Sequence, residues 1–341
     1  MHFKEVSDFL EKSGQPSFRQ KQWQQFYFKD KHLSFQDLTT FPLELRKQLE
    51  EQFGNRLLPL EPIEILEDEQ AKKYLFQLED GERIESVYMR FKDGIRSLCI
   101  STQVGCPCAC RFCATGGIGF KRNLTLDEIL GQVLYVAKTN EGLDRITVMG
   151  MGEALLNPHI LEALNIVSNP QGFGLSAHRI SVSTVGIVEG IRKLNEHCPH
   201  VTLTFSLHFP DQKLREQWMP MAKKYPLEAI FEALDERVRK TKRKIYLAYT
   251  LLEGVNNRKE DLDKLEAIFQ QRGDLRYLYH VNLIPFHAIP NLPVPETSRA
   301  AAIHFQKQLE QRHIEATVRQ SFGKSIQGAC GQLAAGYRKR L

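Results

Sequence analysis

The sequence of 341 residues lacks any run of about 18 apolar residues, the length that a helix needs to cross a membrane. Its first residues, from Met1 to Asp8, include charges where a secretory signal peptide would have an apolar core. Neither sign of charge dominates, because the net charge is only +5. This balance permits a nucleic-acid partner without requiring one. We therefore expect a soluble cytoplasmic protein that has no membrane partner.

The cysteines do not form the pattern of a disulfide framework, since there are seven of them and most are clustered. There is also no second Cys-x2-Cys pair and no His-x3-His pair, which a four-ligand zinc site usually needs. Five cysteines fall within fifteen residues, from Cys99 to Cys113. Among them, Cys106, Cys110 and Cys113 form the pattern Cys-x3-Cys-x2-Cys, and the aromatic Phe112 precedes the last one.

Three thiolates in one short loop can hold three irons of a single [4Fe–4S] cluster and leave the fourth iron without a protein ligand. That open iron can bind a substrate or cofactor. The spacing, together with the aromatic, is typical of radical S-adenosylmethionine (SAM) enzymes. A zinc site or unrelated buried cysteines are the alternatives. Cys108 either replaces one of its neighbours as a ligand or only fills space.

The chain divides into four predicted segments. Residues 1–60 form a small helical accessory domain, with a helix over 42–49, and residues 61–95 form a β-hairpin that turns at Asp80-Gly81. Residues 96–320 alternate strands and helices, and residues 321–341 form a C-terminal segment. The strands are predicted at 96–101, 146–149, 180–183, 201–208, 245–251 and 281–284. The helices are predicted at 125–137, after Pro158, and at 188–194, 227–240, 259–271 and 298–311.

Six strand–helix repeats predict an α/β fold with a parallel sheet, arranged as a partial (β/α)6 barrel. The first of these helices has a capping box, formed by Thr125 and Glu128.

Active sites of such folds lie at the carboxyl ends of the strands. Six residues in polar motifs at these ends are expected to bind SAM. They are Gly152, Glu153, Ser183, Ser206, Leu207 and His208. Glu153 could accept a hydrogen bond from the SAM amino group. Taken singly, a residue of this kind more often belongs to a tight turn or is a buried residue whose polar groups are hydrogen-bonded.

Cys330 lies among small residues, Ile326-Gln-Gly-Ala-Cys330-Gly, which leave its thiol room to move. A lone cysteine more often packs as a small hydrophobe, as we expect for Cys198.

Basic residues provide possible phosphate contacts, although a solvated helical face or a helix end explains them as well. They are Arg19, Lys21, Lys29 and Lys31, the run Arg237–Lys244 with six basic side chains in eight residues, and the C-terminal Tyr337–Arg340.

The whole chain resembles the radical SAM RNA methyltransferases that modify an adenosine of bacterial 23S ribosomal RNA. The matching motifs are Phe18-Arg19, Glu85-Ser-Val, Arg96-Ser-Leu-Cys-Ile-Ser, the cysteine loop with Ala114-Thr-Gly, Met149-Gly-Met-Gly-Glu and Ala329-Cys330-Gly-Gln-Leu. Housekeeping members methylate C2 of adenosine and typically have Gly-Glu-Pro-Leu and Ser-Thr-Ser-Gly. This chain has Ala154 and Val185 at the third positions of those motifs. It resembles the Cfr branch, which methylates C8 and confers antibiotic resistance, in these motifs and in Leu203–His208 and Tyr246–Tyr249.

The resemblance implies one [4Fe–4S] cluster and two molecules of SAM per turnover, because an adenine C8 or C2 carbon is not nucleophilic. One SAM places a methyl group on Cys330. The other binds the open iron and yields a 5′-deoxyadenosyl radical that removes hydrogen from this S-methyl group. The carbon radical then adds to the base. Glu85 matches the family's proton acceptor, and Cys99 matches the partner that forms a disulfide with Cys330 and frees the product.

Two further expectations follow from the resemblance. Bonded Cys99 and Cys330 would have Cα atoms within about 7 Å of each other. His287 stands where the family has a SAM-contacting asparagine, and it can still donate and accept hydrogen bonds.

The expected partners are 23S ribosomal RNA before ribosome assembly and a flavodoxin-type electron donor, and the expected oligomeric state is a monomer. The alternatives are a housekeeping C2 methyltransferase of 23S and transfer RNA, and a metal-stabilised RNA-binding module without catalysis. That module would need neither Cys99 nor Cys330.

Overall fold

A computed structural model of the chain describes residues 3–30, 32–54, 57–289 and 292–335. The N-terminal part is helical, with α1 at Phe3–Lys12, α2 at Ser17–Gln24, a π-helical turn at Gln25–Asp30 and α3 at Leu43–Phe53. Buried aromatic rings hold these helices together, with Trp23 and Tyr27 fully enclosed. The sequence pattern placed the third helix correctly but ended it four residues early.

Three antiparallel strands follow: β1 at Leu60–Glu67, β2 at Ala71–Leu78 and β3 at Arg83–Arg90. The predicted hairpin is the β2–β3 pair. The sequence did not predict β1, because Pro62 lies within it and proline is confined to edge strands and bulges. In the structure β1 is indeed an edge strand, and its register with β2 shifts between Pro62 and Glu64.

The remainder alternates strands with helices. The strands are β4 Arg96–Ile100, β5 Gln103–Gly105, β6 Phe120–Asn123, β7 Arg145–Val148, β8 Ile180–Thr184, β9 Thr202–Ser206, β10 Ile245–Leu251, β11 Tyr279–Pro285 and β12 Ala316–Val318. The helices are α4 Ala114–Ile118, α5 Leu126–Thr139, α6 Ile160–Ser168, α7 Val188–His197, α8 Gln212–Trp218, α9 Leu227–Thr241, α10 Lys259–Gln271 and α11 Arg299–Glu310.

Ten strands of the described residues form one sheet in the order β1-β2-β3-β4-β7-β8-β9-β10-β11-β12. The pairs from β1 to β4 are antiparallel, and those from β4 through β12 are parallel. The predicted partial barrel is confirmed as a mixed α/β sheet that stays open between β1 and β12. It has one parallel strand more than expected, since the three-residue β12 is too short to produce a sequence pattern.

The fold positions the site through the loops that follow the parallel strands. The short β5–β6 ribbon lies beside the cysteine loop after β4, and the polar motifs follow β7, β8 and β9. These strands are largely buried. The polar residues that end them therefore gather at one rim of the sheet.

Candidate active site

Two adjoining cavities lie at the carboxyl ends of the parallel strands. The first, of about 180 Å³, is lined by Cys106, Cys110 and Cys113, and we call it the cluster cavity. The second, of about 100 Å³, is lined by Cys99 and Cys330, and we call it the cysteine-pair cavity. Cys330 and Cys113 line both cavities. The structure thus places the C-terminal cysteine at the boundary between the two predicted groups of thiols.

Backbone contacts fix the cysteine loop. The amide of Cys106 donates to the carbonyl of Gly119 at 3.0 Å, and the amide of Cys113 donates to the carbonyl of Cys110 at 3.2 Å. Two glycines are needed for the close packing. Gly105 has a φ of +72°, and a Cβ there would lie 1.7 Å from the Gly119 oxygen. A Cβ on Gly116 would lie 2.6 Å from the Cys110 oxygen.

The donor set of this loop fits an iron–sulfur cluster. Among the described residues, no three His, Cys, Asp or Glu side chains surround a position for a single metal ion. Instead, three thiols stand around the wall of one cavity, which suits a cluster whose irons each bind a separate thiolate. Burial raises the pKa of Cys110 and of Cys113, so binding of iron must displace their protons.

Cys108 also lines the cluster cavity, but it is 1% exposed and its thiol hydrogen-bonds to Cys106. This hydrogen bond lowers the pKa of Cys106. The structure therefore places Cys108 next to a predicted ligand.

Glu153 lies on the wall of the cluster cavity and is 3% exposed. Its carboxylate accepts hydrogen bonds from the amides of Val185 at 2.8 Å and Leu155 at 3.2 Å. Burial nevertheless raises the pKa of Glu153 to about 7. Gly152 lines the same wall with a φ of +104°, a conformation that side chains rarely adopt. Glu153 and Gly152 together provide a buried carboxyl group beside a stretch of backbone that no side chain covers.

Two serines and a histidine complete this wall. The hydroxyls of Ser183 and Ser206 lie 3.0 Å apart across adjacent strands. Nδ1 of His208 accepts a hydrogen bond from the Thr250 amide at 3.0 Å, which leaves the proton of the neutral ring on Nε2. Burial lowers the pKa of His208 to about 3, so this ring is neutral at physiological pH. The ring packs edge-on against Phe112 of the cysteine loop, with centroids 4.9 Å apart.

Two predicted SAM ligands are not among the residues that line the cluster cavity. Leu207 is fully buried in the main core, and its carbonyl accepts a hydrogen bond from Nε of Arg215. His287 lines the cysteine-pair cavity instead, where its Nε2 is 2.8 Å from the hydroxyl of Ser321. Asn282, which the sequence prediction missed, does line the cluster cavity. The signal in the sequence was the polar side-chain amide of Asn282 within an otherwise apolar strand.

Glu85 lines neither cavity. It is 4% exposed, and one carboxylate oxygen lies 3.1 Å from the ammonium of Lys73. The other oxygen accepts hydrogen bonds from the amides of Ala334 at 2.7 Å and Ala335 at 2.9 Å. The residue predicted as a proton acceptor is therefore bound to the backbone of the C-terminal segment.

Cys99 and Cys330 are both free thiols that face the same cavity. Burial of the Cys99 sulfur raises its pKa to about 12, and the neighbouring Cys330 adds to this effect. Cys330 is exposed. The structure thus brings Cys99 of β4 together with Cys330 of the C-terminal segment, while the predicted disulfide stays a prediction.

Several of the predicted basic residues are engaged in contacts within the protein, whereas Lys21, Arg239, Lys240 and Lys242 are exposed. Arg237 is 1% exposed and donates to Asn195 at 2.8 Å, so its prediction as a phosphate contact is wrong for this conformation. Lys244 pairs with Glu315 at 2.6 Å, and Lys29 donates to the carbonyl of Pro170 at 2.6 Å. Arg19 donates to the carbonyl of Thr40 at 2.6 Å. Lys31 and Tyr337–Arg340 lie outside the described residues.

Comparisons with known proteins agree with this geometry. A family model described as the Radical SAM superfamily matches residues 100–265. The chain is 40% identical over 336 residues to the ribosomal RNA large subunit methyltransferase Cfr of Bacillus velezensis, covering 98% of this chain and 96% of the relative. It is 42% identical over 318 residues to the protein of the same name from Clostridium botulinum, covering 93% and 92%.

The fold matches the crystal structure of a radical SAM methyltransferase from Sphaerobacter thermophilus with a TM-score of 0.91, at 34% identity over 98% of each chain. No helix in the described ranges is long and apolar enough to cross a membrane. The resemblance noted in the motifs is confirmed, and the cofactors are a [4Fe–4S] cluster and SAM. The chain belongs to the Cfr family of radical SAM ribosomal RNA methyltransferases.

Proposed function

We propose that this chain methylates C8 of an adenosine in 23S ribosomal RNA at the peptidyl transferase centre, through S-methylated Cys330, and that it thereby confers antibiotic resistance. The observation that supports the proposal most directly is the position of Cys330 on the wall shared by both cavities. At this boundary, a methyl group on the Cys330 sulfur can lose a hydrogen atom to a radical formed on the cluster side, and the sulfur itself can meet Cys99 on the other side. Ala154 and Val185, where C2 enzymes typically have proline and serine, favour C8.

Each cavity has a part in this mechanism. Cys106, Cys110 and Cys113 would hold the cluster, which supplies the electron for reductive cleavage of SAM. Glu153, with Gly152 beside it, would bind the SAM ammonium, while Ser183, Ser206 and His208 would hold its carboxylate and ribose. We also propose contacts from the Leu207 backbone and from His287, the latter after a shift of its loop.

The thiol of Cys99 would release the product. Its sulfur attacks the sulfur of Cys330, so an S–S bond forms while the bond from Cys330 to the methylene carbon breaks. The electron pair of that bond stays on carbon and takes the proton that Cys99 gives up. The products are a disulfide and a methyl group, with no atom or electron left over. The high pKa of Cys99 keeps it a thiol until this step.

Addition of the methylene radical leaves an unpaired electron on the base. This electron would return to the oxidised cluster, which gave one for cleavage of SAM, and Glu85 would accept the proton that leaves the base. In the structure its carboxylate is occupied by Lys73, Ala334 and Ala335, so this role requires the C-terminal segment to release it. The remaining proposals rest on the family: 23S RNA before ribosome assembly as substrate, a flavodoxin-type electron donor, two SAM per turnover, and a cytoplasmic monomer.

Mass spectrometry of nucleosides from 23S RNA tests the proposal. Cells that express the chain should accumulate 8-methyladenosine, and C330A or C99A should abolish it. C198A is the matched control, because Cys198 is a buried thiol that hydrogen-bonds to Asn165 and lines neither cavity. It should leave the product unchanged. Accumulation of 2-methyladenosine alone would establish the C2 alternative. Unchanged function in C330A and C99A would favour a non-catalytic RNA-binding module.

A further inference from the structure

Arg215, on α8, is a fully buried cation beneath the cysteine loop. Its guanidinium donates to the carbonyls of Val185 at 2.7 Å, Ser206 at 3.2 Å and Leu207 at 3.2 Å. It also lies over the ring of Phe205, 5.2 Å from its centroid. These contacts tie together the chain segments that follow β8 and β9. Burial lowers the pKa of Arg215 to about 10, so the side chain remains positively charged at neutral pH.

One nitrogen of this guanidinium is not used. Nη1 of Arg215 is buried and makes no hydrogen bond with any residue in the described ranges. A buried donor without a partner costs about 1–3 kcal/mol, so such groups call for an explanation. The thiols that interact electrostatically with Arg215 are Cys110 and Cys108. The same helix contacts the loop directly, because the carbonyl of Trp218 accepts a hydrogen bond from the Arg111 amide at 3.0 Å.

An iron–sulfur cluster becomes more negative when it is reduced, and hydrogen bonds and nearby charge set its reduction potential. A cation stabilises the reduced state more than the oxidised state, and more strongly when water is excluded. We propose that Arg215 is a positioning residue that raises the reduction potential of the cluster through its positive charge, which the carbonyls of Val185 and Ser206 hold behind the wall of the cluster cavity. The inference rests on the proposed assignment of the cluster to Cys106, Cys110 and Cys113.

A purely structural role for Arg215 is the competing explanation, and Arg237 provides the matched control. Arg237 is also buried and also binds backbone carbonyls, among them that of Pro199 at 3.2 Å. It differs in two respects. None of its nitrogens is buried without a partner in the described part of the chain, and its thiol neighbour is Cys198 rather than a cluster cysteine.

The test is an anaerobic redox titration of the reconstituted protein, followed by electron paramagnetic resonance, without SAM or RNA. The variants are R215K, R215Q and R215M, with R237K and R237Q as controls. Iron content and circular dichroism are measured first. We expect R215Q and R215M to have a more negative midpoint potential than the wild type. R215K should stay close to the wild type because it keeps the charge, and the Arg237 variants should not shift.

Each outcome decides the proposal. A wild-type potential in R215Q or R215M would overturn it, and so would a shift in R215K equal to that in R215Q. If neither neutral variant folds, R215H replaces them. Its midpoint potential relative to the wild type should become more negative as pH rises and the imidazole loses its charge, and a difference that does not change with pH would overturn the proposal. A wild-type protein that binds no cluster after reconstitution would instead contradict the proposed function, which keeps the two failures distinct.

Discussion

A single buried carboxyl group makes the proposed cofactor site sensitive to pH. Glu153 has a pKa of about 7 because it is buried, although two amides donate to its carboxylate. Only the ionised form can pair with the ammonium of SAM. The shift also affects stability. Between its ordinary pKa of 4.5 and about 7, the folded state holds a proton that the unfolded state has lost. The free energy of unfolding therefore falls as pH rises through this range.

We predict that the affinity for SAM falls as pH is lowered below about 7. One pH unit below this pKa, about a tenth of Glu153 is ionised, so the dissociation constant should rise roughly tenfold. Isothermal titration calorimetry of the anaerobic protein between pH 5.5 and 7.5 measures this change, since the SAM ammonium stays protonated over most of the range.

E153Q should bind SAM more weakly at pH 7.5 and should lose the pH dependence. E162Q is the control, because Glu162 is exposed on α6 and lines neither cavity. It should behave as the wild type. A wild-type pH dependence in E153Q would mean that another group binds the ammonium.

Single residues were predictable where the signal is local. The spacing of Cys106, Cys110 and Cys113 lies within eight residues, and the motif around Glu153 lies at one strand end. The orientation of Leu207 and His287 was not predictable, because it depends on how strand ends and the loop after β11 pack in three dimensions. Arg215 gave no signal at all, since a buried arginine and an exposed one look the same in a sequence.

At the scale of elements, α5 supports the strand that feeds the cysteine loop. Gln132 of this helix is fully buried, and its amide oxygen accepts hydrogen bonds from the Ser101 amide at 2.9 Å and the Ser86 hydroxyl at 2.7 Å. Its amide nitrogen donates to the Ser101 carbonyl at 3.0 Å. The middle of α5 therefore contacts the strand end at which the cysteine loop begins, so the stability of the whole helix bears on that strand end.

We predict that T125A lowers the free energy of unfolding by about 1 kcal/mol, because the Thr125 hydroxyl caps the Glu128 amide at 3.2 Å. The Glu128 carboxylate accepts from the Thr125 amide at 2.8 Å, which completes the capping box foreseen in the sequence. Chemical denaturation followed by circular dichroism measures the loss. T125S keeps the hydroxyl and should restore stability. Equal losses in T125A and T125S would show that the hydroxyl is not the stabilising group.

The elements that the sequence pattern located well are those with a clear repeat. The boundaries of β10 and α10 were predicted to the residue, whereas β1 and β12 were missed. The β5–β6 ribbon was missed as well. β6 pairs with β5 and β12 with β11, each across an intervening helix, whereas β1 pairs with the neighbouring β2 and contains Pro62. A strand of three residues is too short to show an alternating pattern, so its position cannot be predicted from its own sequence.

At the scale of the whole molecule, the antiparallel extension holds the C-terminal segment in place. Glu85 on β3 binds the amides of Ala334 and Ala335, and Lys73 on β2 reaches the carbonyl of Gln327 at 3.5 Å. On the other side, Thr115 of α4 donates to the Leu333 carbonyl at 2.7 Å. The segment that contains Cys330 is therefore clamped between the extension and the cysteine loop.

We predict that E85Q loosens this segment without unfolding the protein. A hydrogen bond to a charged group contributes about 1.5–3 kcal/mol, so amide exchange in residues 329–335 should accelerate roughly 10- to 100-fold. Hydrogen–deuterium exchange with mass spectrometry measures this rate, and peptides from α5 report whether the fold is intact. The result bears on mechanism, because release of the segment is the step that would free Glu85 to accept a proton.

E67Q is the matched control for that experiment. Glu67 lies on β1 of the same extension and pairs at the surface with Lys72 at 3.3 Å and Arg90 at 3.0 Å, and these ion pairs do not involve residues 329–335. Exposed pairs contribute about 0–1 kcal/mol, so E67Q should leave exchange in residues 329–335 unchanged. If E85Q exchanged like E67Q yet lost all methyl transfer, Glu85 would act in proton transfer alone. If exchange accelerated in proportion to the loss of product, its main role would be to hold Cys330 between the two cavities.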